Sequence, residues 1–290
     1  MCPEATSSQP TNEDITTLRR LVARRSGLLT NARKRLKESI ATRIVIMFLM
    51  GGTASAQWVN FPLPGIPRTP DGKPNLAAPA PKAPDGRPDL SGVWRSSDGK
   101  YLANLAADGV QVSFTPQGAA LYKQRQETFS KGRPSEHCLP HGIPDAMMVG
   151  AAPFKIVQTP GEILILYEFQ NRFRQIFTDG RGFPKEMSPA WLGYSLGKWD
   201  GDTFVVDTVG FNDLTWLDDG GHPHSDALHV TERFRRRDFG HMDFEITIDD
   251  PKAYTKPWTA SVRFNLFPDN EIMEWVCENE KDAERGVGKK

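Results

Sequence analysis

Cysteine is scarce in this chain, with three among 290 residues. Several signatures are missing altogether. There is no P-loop and no G-x-G-x-x-G, which counts against NTPase and dinucleotide-binding readings. Neither H-E-x-x-H nor C-x-x-C-H occurs, so zincin and haem-attachment motifs are absent too. The longest purely apolar stretch near the N-terminus, Ile44 to Met50, is far too short to span a bilayer as a helix. Charge of one sign is also lacking, since 36 basic residues face 36 acidic ones.

What is present begins with a basic, irregular segment over residues 1–43, followed by that apolar run and by Ala54-Ser55-Ala56. This order reads as a secretory signal with cleavage after Ala56, which predicts a periplasmic or secreted protein. The leader takes 9 basic and 4 acidic residues, leaving 27 and 32 in the mature part. No nucleic-acid partner is expected, since acidic residues outnumber basic ones in the mature part. The run Arg233 to Arg237 is the densest, and it reads as a solvated strand face. Cys138 and Cys277 survive cleavage, and an oxidising compartment makes a bridge between them plausible. The expected division is a leader over 1–56, a Pro-rich arm over 57–90, a β-domain over 91–280 and a disordered tail over 281–290.

Residues 61–90 hold nine prolines and a doublet, Pro70-Asp71-Gly72-Lys73-Pro74 and Pro84-Asp85-Gly86-Arg87-Pro88. Pro-Asp-Gly is turn chemistry, and this proline density argues against ladder pairing. The doublet runs into Ser91-Gly92-Val93-Trp94. Together with PFKIVQTPGEILILYE, FRQIFTDGR, GKWDGDTFVVDT and ERFRRRDFG it resembles a group of uncharacterised secreted bacterial β-proteins. That resemblance implies export and a β-domain, and nothing about chemistry. Gly92-x-Trp94 at a first strand is similar to the lipocalin start motif.

Downstream of one candidate helix, Pro116 to about Ser130, strands alternate with tight turns. Strands are expected at Gly92–Trp94, Phe154–Thr159, Ile163–Phe169, Phe173–Phe177, Tyr194–Trp199, Thr203–Thr208, Leu228–Arg236, His241–Ile248, Trp258–Phe267 and Glu271–Cys277. Asp200-Gly201 between two of them is a strong hairpin signal. About ten short strands in hairpin order predict an all-β fold. The expected form is an antiparallel up-and-down, lipocalin-like barrel with one or two short helices, with a β-sandwich as the alternative.

The segment Phe211 to Glu232 concentrates three of the six histidines with five acids. Imidazoles beside carboxylates are the raw material of proton transfer or metal ligation. His222, His224, Glu232 and Asp213 are therefore the candidate catalytic residues, with Trp216, Tyr194, Asp226, His229 and His141 as candidate ligand contacts. Alternation places Glu232 between Val230 and Phe234, and Glu274 between Ile272 and Val276, so both carboxylates are expected to point inward. An inward carboxylate either has a raised pKa or is satisfied by an arginine. A metal alternative would use His222, His224 and His229, although the cupin spacing is absent. The expected protein takes a small, largely apolar molecule into the interior of the barrel. Cofactor-free acid–base chemistry of isomerase, lyase or cyclase type is one expectation for it, and non-catalytic carriage is the other.

Overall fold

A computed structural model describes residues 62–149 and 152–275. Nine strands close into a barrel in chain order. They are β1 (Gly92–Ser96), β2 (Phe154–Thr159), β3 (Glu162–Tyr167), β4 (Arg172–Phe177), β5 (Tyr194–Asp200), β6 (Thr203–Val209), β7 (His229–Arg236), β8 (His241–Asp249) and β9 (Trp258–Leu266). The barrel reading therefore holds and the sandwich does not. Pro160-Gly161 and Asp200-Gly201 sit at hairpin turns, with φ of +87° at Gly161 and +59° at Gly201, where glycine is tolerated at little steric cost.

One detail departs from an up-and-down meander. A ring of sequential neighbours with an odd number of strands cannot be antiparallel at every joint. The parallel joint here is β4–β5, paired only at Ile176–Ser195 and Phe177–Leu196. The connection 178–193 therefore runs from one end of the barrel back to the other. Every other neighbour pair is antiparallel, including the closing pair of β1 and β9.

The long connections 97–153 and 210–228 gather at one barrel end together with the β3–β4 and β8–β9 turns. The first of them carries three short helices: α1 (Lys100–Ala103), α2 (Pro116–Glu127) and α3 (Asp145–Met148). Helix α2 starts at Pro116 because the Thr115 side chain accepts from the Gly118 amide at 3.0 Å, and proline suits the first helical position. It ends at Glu127, three residues short of expectation, just before the backbone turns left-handed at Phe129 and Ser130 with φ of +52° and +55°.

The opposite end is covered by the arm. Both Pro-Asp-Gly units fold as the same tight loop. Thr69 N to Lys73 O, Gly72 N to Thr69 O and Asn75 N to Pro67 O recur fourteen residues later as Ala83 to Arg87, Gly86 to Ala83 and Asp89 to Pro81. Bridges Arg68–Pro74 and Lys82–Pro88 close them. The arm is thus not free of ladder pairing, because the amides on either side of each bridge, Thr69 and Asn75 in the first loop and Ala83 and Asp89 in the second, supply the donors. It docks through hydrogen bonds from the Phe239 and Gly240 amides to the carbonyls of Ala78 and Leu76 and through the Arg68–Asp269 ion pair.

The interior is packed with aromatic rings. Phe154, Phe264, Phe244 and Phe234 form a column with successive centroids 5.0, 5.0 and 4.8 Å apart. Phe204 extends it, and a Cβ built on Gly197 would lie 2.3 Å from the Phe204 ring and 2.9 Å from Ile176. Gly197 is small so that β6 can press its ring across β5. Gly197→Ala is expected to cost about 1–3 kcal/mol through overpacking, read from the urea midpoint at unchanged m-value.

Two expectations fail at the periphery. Residues 271–275 form no strand, and Glu274 is exposed. Arg236 is buried within the RFRRR run, where it donates to the carbonyls of Asp89 at 2.6 Å and Ser91 at 3.1 Å. The expected leader, the tail over 281–290 and Cys277 lie outside the described residues. Among the described residues, no helix is long and apolar enough to cross a membrane.

Candidate functional site

The two-pair joint between β4 and β5 leaves a gap in the barrel wall. A cavity of about 450 Å³ opens there, lined by Pro140, Phe173, Phe177, Trp191, Leu192, Tyr194, Arg174 and Ser195, among others. Its walls are mainly aromatic and aliphatic, and Phe173 is 63% exposed. The Tyr194 and Phe177 rings lie 5.3 Å apart. Tyr194, a ligand contact expected from the sequence, is therefore on the cleft.

Behind the cleft sits a buried polar group that the sequence did not announce. Arg174 is 3% and Glu232 0% exposed. The guanidinium grips the carboxylate through both terminal nitrogens, Nη1 to Oε1 at 3.0 Å and Nη2 to Oε2. Arg174 also donates from Nε to Ser195 at 2.9 Å and from Nη2 to Thr208 at 2.8 Å, and the two hydroxyls meet at 3.1 Å. Burial works against the Arg174 charge, but Glu232 outweighs it and raises the guanidinium pKa. Glu232 thus points inward as expected, and an arginine satisfies it. With both oxygens engaged it is not free to serve as partner to a histidine. Nearby, the Tyr167 hydroxyl is buried without a hydrogen-bond partner, and burial pushes its pKa up to about 12.

The third component is the cap. The glycine- and proline-containing loop 210–228 folds over the barrel end and buries His222 and His224 at 3% and 7% exposure. The carboxylate that meets His222 is Asp218. Its Oδ2 accepts from His222 Nδ1 at 2.6 Å and from the Leu105 amide at 2.7 Å, while Oδ1 accepts from the His222 amide at 3.1 Å. The imidazole is stacked on Tyr122, 4.5 Å between centroids, and lies against Phe114 and Trp258. His224 Nδ1 donates to the Ser225 carbonyl at 3.1 Å, so Nε2 is the acceptor for the Thr215 hydroxyl at 2.7 Å.

Burial lowers the His224 pKa below its ordinary 6.5. The unfolded chain therefore takes up a proton that the folded protein refuses, and this residue withdraws stability as pH falls below 6.5. Compared with wild type, His224→Gln should lose less stability between pH about 7.5 and about 5.5 in urea titrations. Equal losses would contradict this assignment.

Other sequence candidates scatter. Asp213 is exposed, so Asp218 takes the place expected for it. Asp226 is exposed and pairs with Lys252 at 2.6 Å. His229 lies on the outer face of β7, 3.2 Å from Asp207. Trp216 packs under the Arg125 guanidinium at 4.1 Å. His222, His224 and His229 are not assembled as a metal triad. Among the described residues, the group with metal-ligand spacing is His141, Asp145 and Asp219. His141, expected as a ligand contact, is buried against Asp145. It lines a small gap beside the cleft with Tyr167, Phe169, Arg172 and Leu192. Residues that sequence reasoning missed are Arg174, Ser195, Thr208, Asp145 and Asp218. Alternation along β4 puts Arg174 on a face with Ile176, but Phe173 and Phe177 share the other, so it does not by itself choose the buried side.

Compared with known proteins, the chain matches no family model and no curated sequence.

Proposed function

We propose that this chain is an exported β-barrel that holds one small, largely apolar molecule in the cleft at the β4–β5 joint. The observation that carries the reading is the cleft itself, about 450 Å³ with mainly apolar walls and the polar groups of Arg174 and Ser195 at its inner side. Small-molecule sites have this size and this mix of apolar surface with a few fixed polar groups. An exposed phenylalanine in the wall is surface that a ligand would cover. The column of phenylalanine rings directs binding to the joint rather than to a central hollow.

Carriage is favoured over turnover by His222 or His224. Neither lines the cleft. The ring nitrogens of His224 are both engaged, and His222 is enclosed by aromatic rings. Export is supported by the apolar run ahead of Ala54-Ser55-Ala56 and predicts a mature chain that begins at Gln57, which intact mass of protein from its own host would reveal.

An anilinonaphthalene sulfonate dye, an apolar body with one anionic group, is a suitable probe. Wild type should bind one equivalent, with energy transfer from tryptophan. Trp191→Ala and Phe173→Ser should each weaken binding by about tenfold, the scale of an apolar contact worth about 1.4 kcal/mol. Unchanged affinity in both folded variants would refute the cleft as the site.

A further inference from the structure

At the capped end, three side chains from separate parts of the chain converge, none of them lining the cleft itself. His141 follows the 3-10 turn Pro134–His137, Asp145 opens α3, and Asp219 belongs to the loop 210–228. One potential ligand atom from each lies within 4.8 Å of the other two. We propose that His141, Asp145 and Asp219 form a binding site for one divalent transition-metal ion of the zinc or manganese type.

Proximity alone would be a weak argument. A second observation comes from Asp145, which is 5% exposed. Its Oδ2 meets His141 Nδ1, while its Oδ1 is buried and has no hydrogen-bond partner. Leaving a carboxylate oxygen dry and unpaired is costly, more so than for a neutral group. A carboxylate that served only to orient an imidazole would be expected to have its second oxygen satisfied by an amide or hydroxyl. Asp218 shows that arrangement a short distance away, with both oxygens accepting.

The charge balance points the same way. Asp218 and Asp219 are adjacent, and both act electrostatically on Asp145. The nearest cation to Asp219 is Arg133, whose Nε stands 3.6 Å from Oδ1 and whose Nη1 is 3.5 Å from Glu136. Arg125 is committed to the Gly221 carbonyl and the Trp216 ring. The pocket thus gathers more carboxylate charge than its cations neutralise, and a divalent ion would correct the imbalance. Arg133 is half-exposed and can turn to Glu136.

Donor chemistry selects the ion. One imidazole and two carboxylates without a thiolate suit zinc, manganese or ferrous iron better than copper(I). Three protein ligands leave a coordination position for water, as in catalytic rather than structural zinc sites. The Phe169 ring lies edge-on to His141 at 4.9 Å and fixes its plane. This site does not depend on the cleft binding a ligand.

The test uses the full mature chain, stripped with a chelator and titrated with Zn²⁺ by calorimetry and with Co²⁺ by visible absorption. One equivalent of each should bind, with cobalt giving a ligand-field spectrum. His141→Gln and Asp219→Asn should each weaken Zn²⁺ binding by at least about tenfold, the lower bound seen even for residues that only support a ligand. His229→Gln, on the outer barrel face, should leave affinity unchanged. If His141→Gln fails to fold by near-ultraviolet circular dichroism, Asp219→Asn decides, because Asp219 is a half-buried loop residue. Absence of stoichiometric uptake by wild type, or uptake of equal affinity in Asp219→Asn, would overturn the proposal.

Discussion

Glu232→Leu is expected to destabilise the barrel by about 3–5 kcal/mol, the range for breaking a buried ion pair from one side. The loss does not measure the strength of the pair. It comes from leaving Arg174, 3% exposed, as a charge with only the hydroxyls of Ser195 and Thr208 for company. The double variant Arg174→Met with Glu232→Leu should recover most of that loss, since an apolar pair of similar volume can match or exceed a buried salt bridge. Urea unfolding of the four proteins supplies the cycle. A single variant within about 1 kcal/mol of wild type would show that water reaches the guanidinium and that the pair is not dry. Because Arg174 also lines the cleft, the double variant should alter affinity for the anionic dye while the fold persists. Stability and ligand preference would then separate in one experiment.

That ion pair also shows where sequence reasoning reaches its end. Period-two alternation assigns inward faces wherever apolar residues share one side, as in β8, where Met242, Phe244, Ile246 and Ile248 are all buried. The same rule placed Glu232 inside. In β4 it divides against itself. Phe173 and Phe177 lie on one face, Arg174 and Ile176 on the other, and the arginine is the buried one. Nothing local decides this, because the partner that makes burial tolerable is 58 residues away. The parallel joint is likewise a consequence of ring parity, visible only once the strands are counted as closed. Nine strands rather than ten force it, and the tenth expected strand at Glu271 does not form within the described residues. The turns were legible because glycine and proline act through their own backbone. The Pro-Asp-Gly doublet was legible as two turns, but not as the strap that seals a barrel end, since docking depends on Leu76 meeting Gly240 and Arg68 meeting Asp269.

The histidine-rich loop was the right place to look for buried imidazoles, and the residue that organises it is Asp218. Asp218→Ala is expected to cost about 2–6 kcal/mol, the sum for two buried amides left unpaired at roughly 1–3 kcal/mol each. Those amides belong to Leu105 and His222, and the same change removes the acceptor for His222 Nδ1. Asp218→Asn should cost less, because one oxygen remains to accept, although its amide group then confronts a donor. The two variants should also differ in the ¹⁵N spectrum of His222. In wild type the carboxylate fixes the proton on Nδ1, and Asp218→Ala should release the ring to both tautomers. An alanine variant as stable as wild type, with the His222 tautomer unchanged, would mean that the stack on Tyr122, Phe114 and Trp258 positions the ring unaided. Retention of dye binding by the folded Asp218→Ala protein is expected, since His222 and the cleft at the β4–β5 joint share no lining residue. Loss of dye binding would instead tie the cap to the cleft and reopen a catalytic role for His222.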